Sequence, residues 1–213
     1  MAPESSQTGR NTGPHCLFKN WRLGPEKLPD THINNVLLAG YSRFGNKTPK
    51  EFIDRWYPNN TTQAQWPNPQ WDGFLSGPPQ QLTILRPTPG TKVLIDRFGK
   101  EDTPYFAPFN TAFANRSLSP ASLNFTITPE AELARRVDDS DADMYRVYEI
   151  AKPFEVFAGA CAPGFEQPGG GTQYVVKDRT SARGLVEGGF LRRLRWEEVV
   201  ALYKGIVEGE DRG

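Results

Sequence analysis

The residues best suited to chemistry lie in the glycine-rich stretch from Ala162 to Val176, where three consecutive glycines, Gly169 to Gly171, precede Thr172 and Gln173. Glycines leave backbone N–H groups open to an approaching ligand, so the stretch is a candidate binding edge. A wide turn between strands is the alternative, because glycine-rich turns are common. No Lys-Ser or Lys-Thr follows the glycines, and no strand-glycine-helix order surrounds them. A P-loop and a dinucleotide fingerprint are therefore excluded.

Other residues that serve catalysis or metal binding lack the spacing that those functions need. The acidic run 138–143 opens like a calcium loop, but its sixth position is Met144 rather than glycine and its twelfth is Ile150 rather than glutamate, so we predict a solvated turn. No facing pair is evident among the candidate glycosidase carboxylates Glu149, Glu155 and Glu166, of which the last is a candidate for the rim of a site. A thiol or zinc site gains no support from the separation of His15, His32, Cys16 and Cys161. We predict no metal.

Charge and composition limit the classes of function. Lysine and arginine total 25, as do aspartate and glutamate, so no overall field attracts nucleic acid or an acidic membrane. No apolar run is long enough to span a bilayer, and the first residues lack the basic start and apolar core of a secretory signal. Cys16 and Cys161 are the two cysteines of the chain, and a disulfide between them is one possibility. Five tripeptides match the N-glycosylation pattern, starting at Asn46, Asn59, Asn60, Asn115 and Asn124.

A chain of 213 residues is about one domain. Residues 1–14 are polar and without an apolar period, so we predict a disordered lead-in. Residues 15–90 predict an N-terminal arm, helical and irregular, that packs on the core. Residues 91–213 predict that core, ending in a C-terminal helix.

Within the arm, Thr31 is positioned to cap a helix over residues 33–38 that Gly40 closes. Thr48 to Glu51 has capping-box spacing with proline at the first helical position, which predicts a second helix ending before Pro58. The segment 59–89 predicts a structured loop. Its tryptophans, Trp66 and Trp71, suit either stacking on sugar rings or ordinary packing.

Short β-type runs separated by turn residues dominate the rest of the chain. They predict strands over 91–96, 144–150, 154–157, 172–177 and 190–194. Helices are predicted from Thr128–Pro129 and over 196–207, and residues 182–189 predict a short helix or a turn. The combination predicts an α+β fold with a central antiparallel or mixed sheet and short peripheral helices.

Several blocks, taken in order, resemble a known family. They cover roughly residues 35 to 195 and comprise Tyr41-Ser42-Arg43-Phe44-Gly45, Pro49-x-Glu51-Phe52, Asp96-Arg97-Phe98-Gly99, Arg116-Ser117-Leu118-x-Pro120, Tyr145-x-Val147-Tyr148, Ala162 through Gln173, and Gly184 through Leu194. The sequence resembles the TNT family, named for the tuberculosis necrotizing toxin, and within it the fungal surface NAD glycohydrolases. It departs from the fungal pattern at Gly164, where a tryptophan is usual, at Ser119, where a proline is usual, and in a longer insert over 126–143.

The resemblance implies an activity and a site. Family members cleave the bond between nicotinamide and ribose in NAD, and usually NADP, giving ADP-ribose and nicotinamide. By resemblance, Gln173 and Arg116 are the expected catalytic residues, and the expected substrate-binding residues are Arg97, Phe98, Gly171 and Thr172. NAD(P) is then a substrate, and no cofactor is expected. The resemblance also suggests secretion or a cell-surface location, and a homodimer paired through its sheets.

The chemistry of this reaction suits those residue types. The pyridinium of NAD already carries positive charge, so nicotinamide leaves as a neutral group and no general acid is needed. Arg97 and Arg116 are candidates to clamp the pyrophosphate through forked, charge-assisted hydrogen bonds. Phe98 is a candidate flat face for nicotinamide or ribose, and the amide of Gln173 is a candidate to bind a ribose hydroxyl or orient water.

Two other functions remain open. An ADP-ribosyltransferase would move ADP-ribose to a protein side chain, and such enzymes commonly use an activating glutamate near the ribose; Gln173 in that place favours hydrolysis. A catalytically silent cell-surface or interaction module would keep the fold without turnover. The glycine at position 164 and the 126–143 insert are the two features that would explain a loss of turnover.

Overall fold

The computed structural model describes residues 16–28, 32–78, 80–124 and 144–210. Its centre is a sheet of seven strands, namely β1 (Gln81–Leu85), β2 (Leu94–Gly99), β3 (Tyr105–Pro108), β4 (Met144–Ile150), β5 (Phe154–Ala160), β6 (Thr172–Val176) and β7 (Leu191–Arg193). Their spatial order is β1-β5-β6-β3-β2-β4-β7, and every neighbouring pair is antiparallel. The predicted α+β class with a central sheet is confirmed.

The sheet cannot be flat. Strands β4 and β5 are joined only by residues 151–153, yet they stand four places apart in the spatial order. Four strand spacings amount to about 19 Å, whereas the connecting segment spans at most about 14 Å. The sheet must therefore fold over so that its two halves approach each other. A core between the halves draws residues from both, including Ile95, Tyr148, Phe154 and Val156.

Alternation along β2 sends successive side chains into different surroundings. Ile95 belongs to the core between the two halves, whereas Phe98 belongs to a second core with Phe113, Tyr145 and Tyr203. Because side chains alternate with period two, Asp96 shares the side of Phe98 and Arg97 shares the side of Ile95. Adjacent residues of one strand therefore belong to two different environments, and this arrangement governs the candidate site.

The described residues form four α-helices around the sheet, namely α1 (His32–Leu37), α2 (Pro49–Trp56), α3 (Ala182–Glu187) and α4 (Trp196–Glu210). Helix α2 begins as predicted, because the Thr48 hydroxyl accepts from the amide of Glu51 and the Glu51 carboxylate accepts from the amide of Thr48. Among the residues that the structure describes, no helix combines the length and apolarity needed to cross a bilayer.

Two strands occupy segments where the sequence predicted none. The predicted loop 59–89 contains β1, which pairs with β5, so the sheet extends across the predicted boundary at residue 90. Strand β1 was missed because Leu82 and Ile84 are exposed on an edge strand and show no buried alternation. Strand β3 was missed because Pro104 and Pro108 bound it. The strand predicted over 91–96 is observed at Leu94–Gly99.

The other predicted strands and helices are observed within a few residues of their expected bounds. Four interpretations fall outside the described residues: the lead-in 1–14, the cap at Thr31, the helix at Thr128 and the acidic insert 126–143.

Candidate functional site

A cleft of about 440 Å³ lies where β2, β3 and β6 meet the arm. Five of the six residues that the resemblance selected line it: Arg97, Phe98, Arg116, Thr172 and Gln173. Gly171 is not among the lining residues; a side chain there would begin 2.7 Å from the carbonyl oxygen of Asn115, so this glycine permits close backbone packing. The structure thus gathers residues from three separate segments around one cavity.

Arg116 is held in place by two contacts and retains one unused donor. It ends the 3₁₀ helix Phe113–Arg116, its Nε donates to the carbonyl of Thr111 at 2.8 Å, and its Nη1 lies 2.6 Å from Oδ1 of Asp96. Nη2 is buried and has no hydrogen-bond partner among the described residues. Buried donors are normally paired, so Nη2 is a candidate ligand contact in the cleft.

Asp96 is the acidic partner that the sequence analysis did not assign. Its side chain is 0% exposed, and Oδ2 accepts from the hydroxyl of Tyr145 at 2.7 Å and from the amide of Asn110 at 3.0 Å. Burial raises the pKa of Asp96, while the charge of Arg116 opposes that rise. Burial alone would lower the pKa of Arg116, but the Asp96 carboxylate outweighs burial and raises it. The available sequence signal for a buried carboxylate was that Asp96 directly follows the apolar run Val93-Leu94-Ile95.

A chain of hydrogen bonds links Asp96 to the C-terminal helix through Tyr145. The hydroxyl of Tyr145 also lies 2.7 Å from the hydroxyl of Tyr203, which is buried on α4. Helix α4 therefore helps fix the carboxylate that orients Arg116, although residues 196–206 of this helix do not line the cleft.

Arg97 lies on the opposite side of β2 and supports a loop. Its Nη1 donates to the carbonyl of Thr103 at 2.7 Å, and its Nη2 donates to the hydroxyl of Thr103 at 2.8 Å and to the carbonyl of Lys100. Both terminal nitrogens are engaged with the chain, so the geometry differs from the free fork expected of a pyrophosphate clamp. Arg97 instead holds Thr103, which lines the cleft.

Phe98 contributes to the wall but is closely covered. The guanidinium of Arg116 lies 5.1 Å from its ring centroid, and the rings of Phe113 and Tyr145 lie at 5.1 Å and 4.9 Å. Only 7% of the residue is exposed. These contacts make the ring a support for Arg116 rather than the open stacking face that the sequence suggested.

Gln173 is oriented by the arm. Its Nε2 donates to the backbone carbonyl of Asp72 at 2.8 Å, and its Oε1 lies 3.9 Å from the sulfur of Cys161. The Cys161 thiol donates a long hydrogen bond to Oε1, and the second lone pair of this oxygen is left to accept from a ligand or a water.

The arm supplies a wall of the cleft that no short-range sequence pattern indicated. Trp66, Pro67, Pro69, Asp72 and Gly73 all line it. Both carboxylate oxygens of Asp72 are paired with Arg179, at 2.8 Å and 2.7 Å, and one also accepts from the hydroxyl of Tyr105. This bidentate pair ties the arm to the turn that follows β6.

The glycine-rich segment packs against the same wall. A side chain at Gly164 would begin 2.7 Å from Cγ of Pro67, so the absence of a tryptophan at this position leaves room for the arm. Glu166, a candidate for the rim, does not line the cleft; it accepts from Nε1 of Trp56 at 3.1 Å and lies 3.4 Å from Nε of Arg55.

The two cysteines do not form the disulfide that the sequence left open. Both are buried thiols outside any disulfide. Burial raises the pKa of the Cys161 thiol to about 11, opposed by the charge of Arg116. Within the described residues, no three His, Cys, Asp or Glu side chains are grouped closely enough to hold a metal ion.

Comparisons with known proteins agree with this architecture. The model of a family described as "TNT: Tuberculosis necrotizing toxin" matches residues 88–194. The chain is 36% identical over 173 residues to the conidial surface nicotinamide adenine dinucleotide glycohydrolase nadA of Aspergillus fumigatus, covering 81% of this chain and 68% of that protein. A solved structure of tuberculosis necrotizing toxin complexed with its immunity factor IFT superposes with a TM-score of 0.52 at 17% identity, covering 81% of this chain and 94% of that one. The last likeness concerns the fold.

Proposed function

This chain belongs to the tuberculosis necrotizing toxin family, and from that premise we propose that it is an NAD⁺ glycohydrolase. The reaction breaks the bond between nicotinamide and ribose and yields nicotinamide and ADP-ribose, with NADP⁺ as a second substrate. The observation that carries the proposal is the convergence of Arg116, Gln173 and Thr172 on one cleft together with the unused donor of Arg116. The glycohydrolase activity named for the fungal relative supports the same assignment.

The leaving group sets modest chemical demands on the site. Nicotinamide departs neutral because the bound pyridinium already carries positive charge, so proton donation to the leaving group is unnecessary. The site has to hold the ribose while positive charge develops at its anomeric carbon, exclude bulk water and admit one attacking water. A buried arginine–aspartate pair and an anchored amide suit these requirements better than a pair of facing carboxylates.

Arg116 is proposed to bind an oxygen acceptor of the dinucleotide through Nη2. Its other contacts, to Thr111 and Asp96, fix the plane of the guanidinium before substrate arrives. A donor that is already oriented needs no reorganisation on binding, which favours stabilisation of the transition state. Arg97 is proposed to act through Thr103, whose position it holds.

Gln173 is proposed to accept a hydrogen bond at Oε1 from a ribose hydroxyl or from the attacking water. Anchoring of Nε2 on Asp72 prevents the amide from turning, so the acceptor keeps its direction. A neutral amide at this position orients the water without adding another formal charge to the cleft.

Incubation of the purified protein with NAD⁺ tests the proposal, with nicotinamide and ADP-ribose separated by chromatography. We expect both products in equal amounts, and we expect NADP⁺ to yield nicotinamide and phosphorylated ADP-ribose. Recovery of labelled ADP-ribose on protein would instead identify the chain as an ADP-ribosyltransferase. Failure of the wild-type protein to release nicotinamide from either dinucleotide would contradict the enzyme assignment.

A cell-surface or secreted location is proposed on separate grounds. The fungal relative is named as a conidial surface protein. Four of the asparagines in glycosylation patterns are exposed, namely Asn46, Asn59, Asn60 and Asn115, whereas Asn124 donates its side-chain amide to Trp21. A mass decrease on treatment of the native protein with an N-glycosidase would support export, and an unmodified native protein confined to the cell interior would contradict it.

A further inference from the structure

Trp66 is an exposed aromatic residue on the wall of the cleft. It is 49% exposed, although large apolar side chains are normally covered. Its ring makes an edge contact with the fully buried Phe165 at 5.0 Å, and the next residue, Pro67, packs against Gly164. The indole is therefore supported by the glycine-rich segment while much of its surface stays open to a ligand.

The residues that line the cleft differ in exposure. Asp96, Arg116 and Ser117 are buried and define what we call its buried end, whereas Trp66 and Tyr105 carry exposed rings and define its open end. The bond that breaks needs shielding from bulk water, so the nicotinamide riboside belongs at the buried end. The opposite base of the dinucleotide then lies at the open end.

Adenine matches the surface available there. It is a neutral, flat ring, and every nucleic-acid base has a π-face that can stack on an aromatic side chain. The hydroxyl of Tyr105 is already bonded to Asp72, whereas Trp66 presents the larger and more exposed ring. Trp66 also lies outside residues 88–194, so the matched family segment does not contain it.

We infer that Trp66 forms the stacking surface for the adenine ring of the dinucleotide, an inference that rests on the proposed function. The arm then supplies a binding subsite that the sheet lacks. The subsite should contribute to affinity for any ligand that carries the adenosine half, whether or not nicotinamide is attached.

Binding of ADP-ribose, measured by titration calorimetry, tests the subsite without requiring turnover. Because stacking on an aromatic side chain contributes to the binding of a base, Trp66→Ala and Trp66→Leu should raise the Kd about tenfold. Leucine retains apolar bulk against Phe165 but offers no aromatic face. Trp66→Phe should stay within about threefold of wild type, because it keeps a ring.

Trp71 provides the matched control, since it is a partly exposed tryptophan of the same arm that does not line the cleft. Trp71→Ala should leave the Kd unchanged. In turnover of NAD⁺, Trp66→Leu should raise KM about tenfold and leave kcat within about twofold, because the stacking acts equally in ground and transition states.

Different outcomes separate this inference from the proposed function. Equal Kd values for Trp66→Leu and Trp66→Phe, or no ADP-ribose binding by wild type, would overturn the adenine site. A wild-type protein that binds ADP-ribose in a Trp66-dependent way but releases no nicotinamide would support the site and contradict hydrolysis.

Discussion

Nη1 of Arg116 lies 2.6 Å from Oδ1 of Asp96, and both side chains are buried beside the cleft. The pair joins a strand to a 3₁₀ helix and leaves Nη2 of the arginine without a protein partner among the described residues. Asp96 thus neutralises and orients the guanidinium of Arg116, and Nη2 is the nitrogen that we propose for the ligand contact.

Asp96→Ala should lower the free energy of unfolding by about 3–5 kcal/mol, because it leaves the buried guanidinium of Arg116 without its counter-charge. Asp96→Asn should be less destabilising, since the amide keeps an oxygen acceptor. Urea denaturation followed by tryptophan fluorescence measures both. Asp54→Ala is the control: Asp54 pairs with Lys50 on the surface at 2.6 Å, and its loss should have little effect. Equal losses of unfolding free energy in Asp96→Ala and Asp54→Ala would contradict a stabilising role of the buried Asp96–Arg116 pair.

Gln173→Ala should lower kcat for NAD⁺ by about 100-fold, comparable to removal of an oriented polar group from other active sites. The unfolding midpoint should change little, because Gln173 is only partly buried. Gln81→Ala, at an exposed position on β1, should keep full activity. A Gln173→Ala enzyme with the wild-type rate would remove this residue from the mechanism.

Glu101 should make stability depend on pH. It is fully buried, accepts from Arg193 at 3.0 Å and 2.5 Å, and also accepts from the hydroxyl of Tyr148. Burial raises the pKa of Glu101, but the hydrogen bond from Arg193 and the other donors outweigh it, so the pKa lies below its ordinary value of 4.5.

A lowered carboxyl pKa stabilises the folded protein at pH values above the unfolded pKa, and that stability is lost as pH falls through the folded pKa. Glu101→Gln should therefore be destabilising by about 2 kcal/mol at pH 7. The difference from wild type should shrink below pH 4.5. Urea titrations across this range measure it, and a difference that stays constant with pH would contradict the charge-based contribution.

Cys161 should react slowly with iodoacetamide. Burial raises the pKa of its thiol from 9.0 to about 11, which lowers the thiolate fraction at pH 7 by about 100-fold relative to an unperturbed thiol. A Cys16→Ser variant isolates this thiol, and mass spectrometry follows the reaction. The rate should rise with pH and reach that of a free thiol in urea. Rapid modification of the folded protein at pH 7 would contradict the predicted burial.

Gly164→Ala should destabilise the protein by about 1–3 kcal/mol, because the added methyl would overlap Pro67. Gly205 is the matched control: it lies within α4, and nothing stands within 4 Å of a side chain added there. Gly205→Ala should stabilise the protein by about 1 kcal/mol through helix propensity. If both substitutions changed the free energy of unfolding in the same direction, the close packing of the arm on Gly164 would be excluded.

The sequence predicted most elements whose signals are local. Thr48 and Glu51 stand three positions apart and reproduce the capping box, and the β-branched and aromatic run of β4 was recognised from its composition. The edge strand β1 and the proline-bounded β3 were missed, since neither shows an alternation of buried and exposed residues that a short window detects.

The candidate site residues were predicted from the family resemblance rather than from any pattern of hydrophobicity, charge or spacing. Arg97, Arg116 and Gln173 have no periodic signal that separates them from surface residues. The structure brings them to one cleft, but it also shows that Arg97 supports a loop and that Phe98 is covered by Arg116. Such partners depend on strand pairing, which sequence spacing does not specify.

By itself, the amino-acid sequence determined the α+β class, the capped helix α2, and a chain without net charge, because composition, capping and short-range periodicity act between near neighbours. Only the tertiary structure decided the Asp96–Arg116 pair, the anchoring of Gln173 by Asp72 and the position of Trp66 on the cleft. These relationships join distant segments: alternation limits each strand residue to one of two sides, but sheet pairing and the folding of the arm determine what lies opposite it.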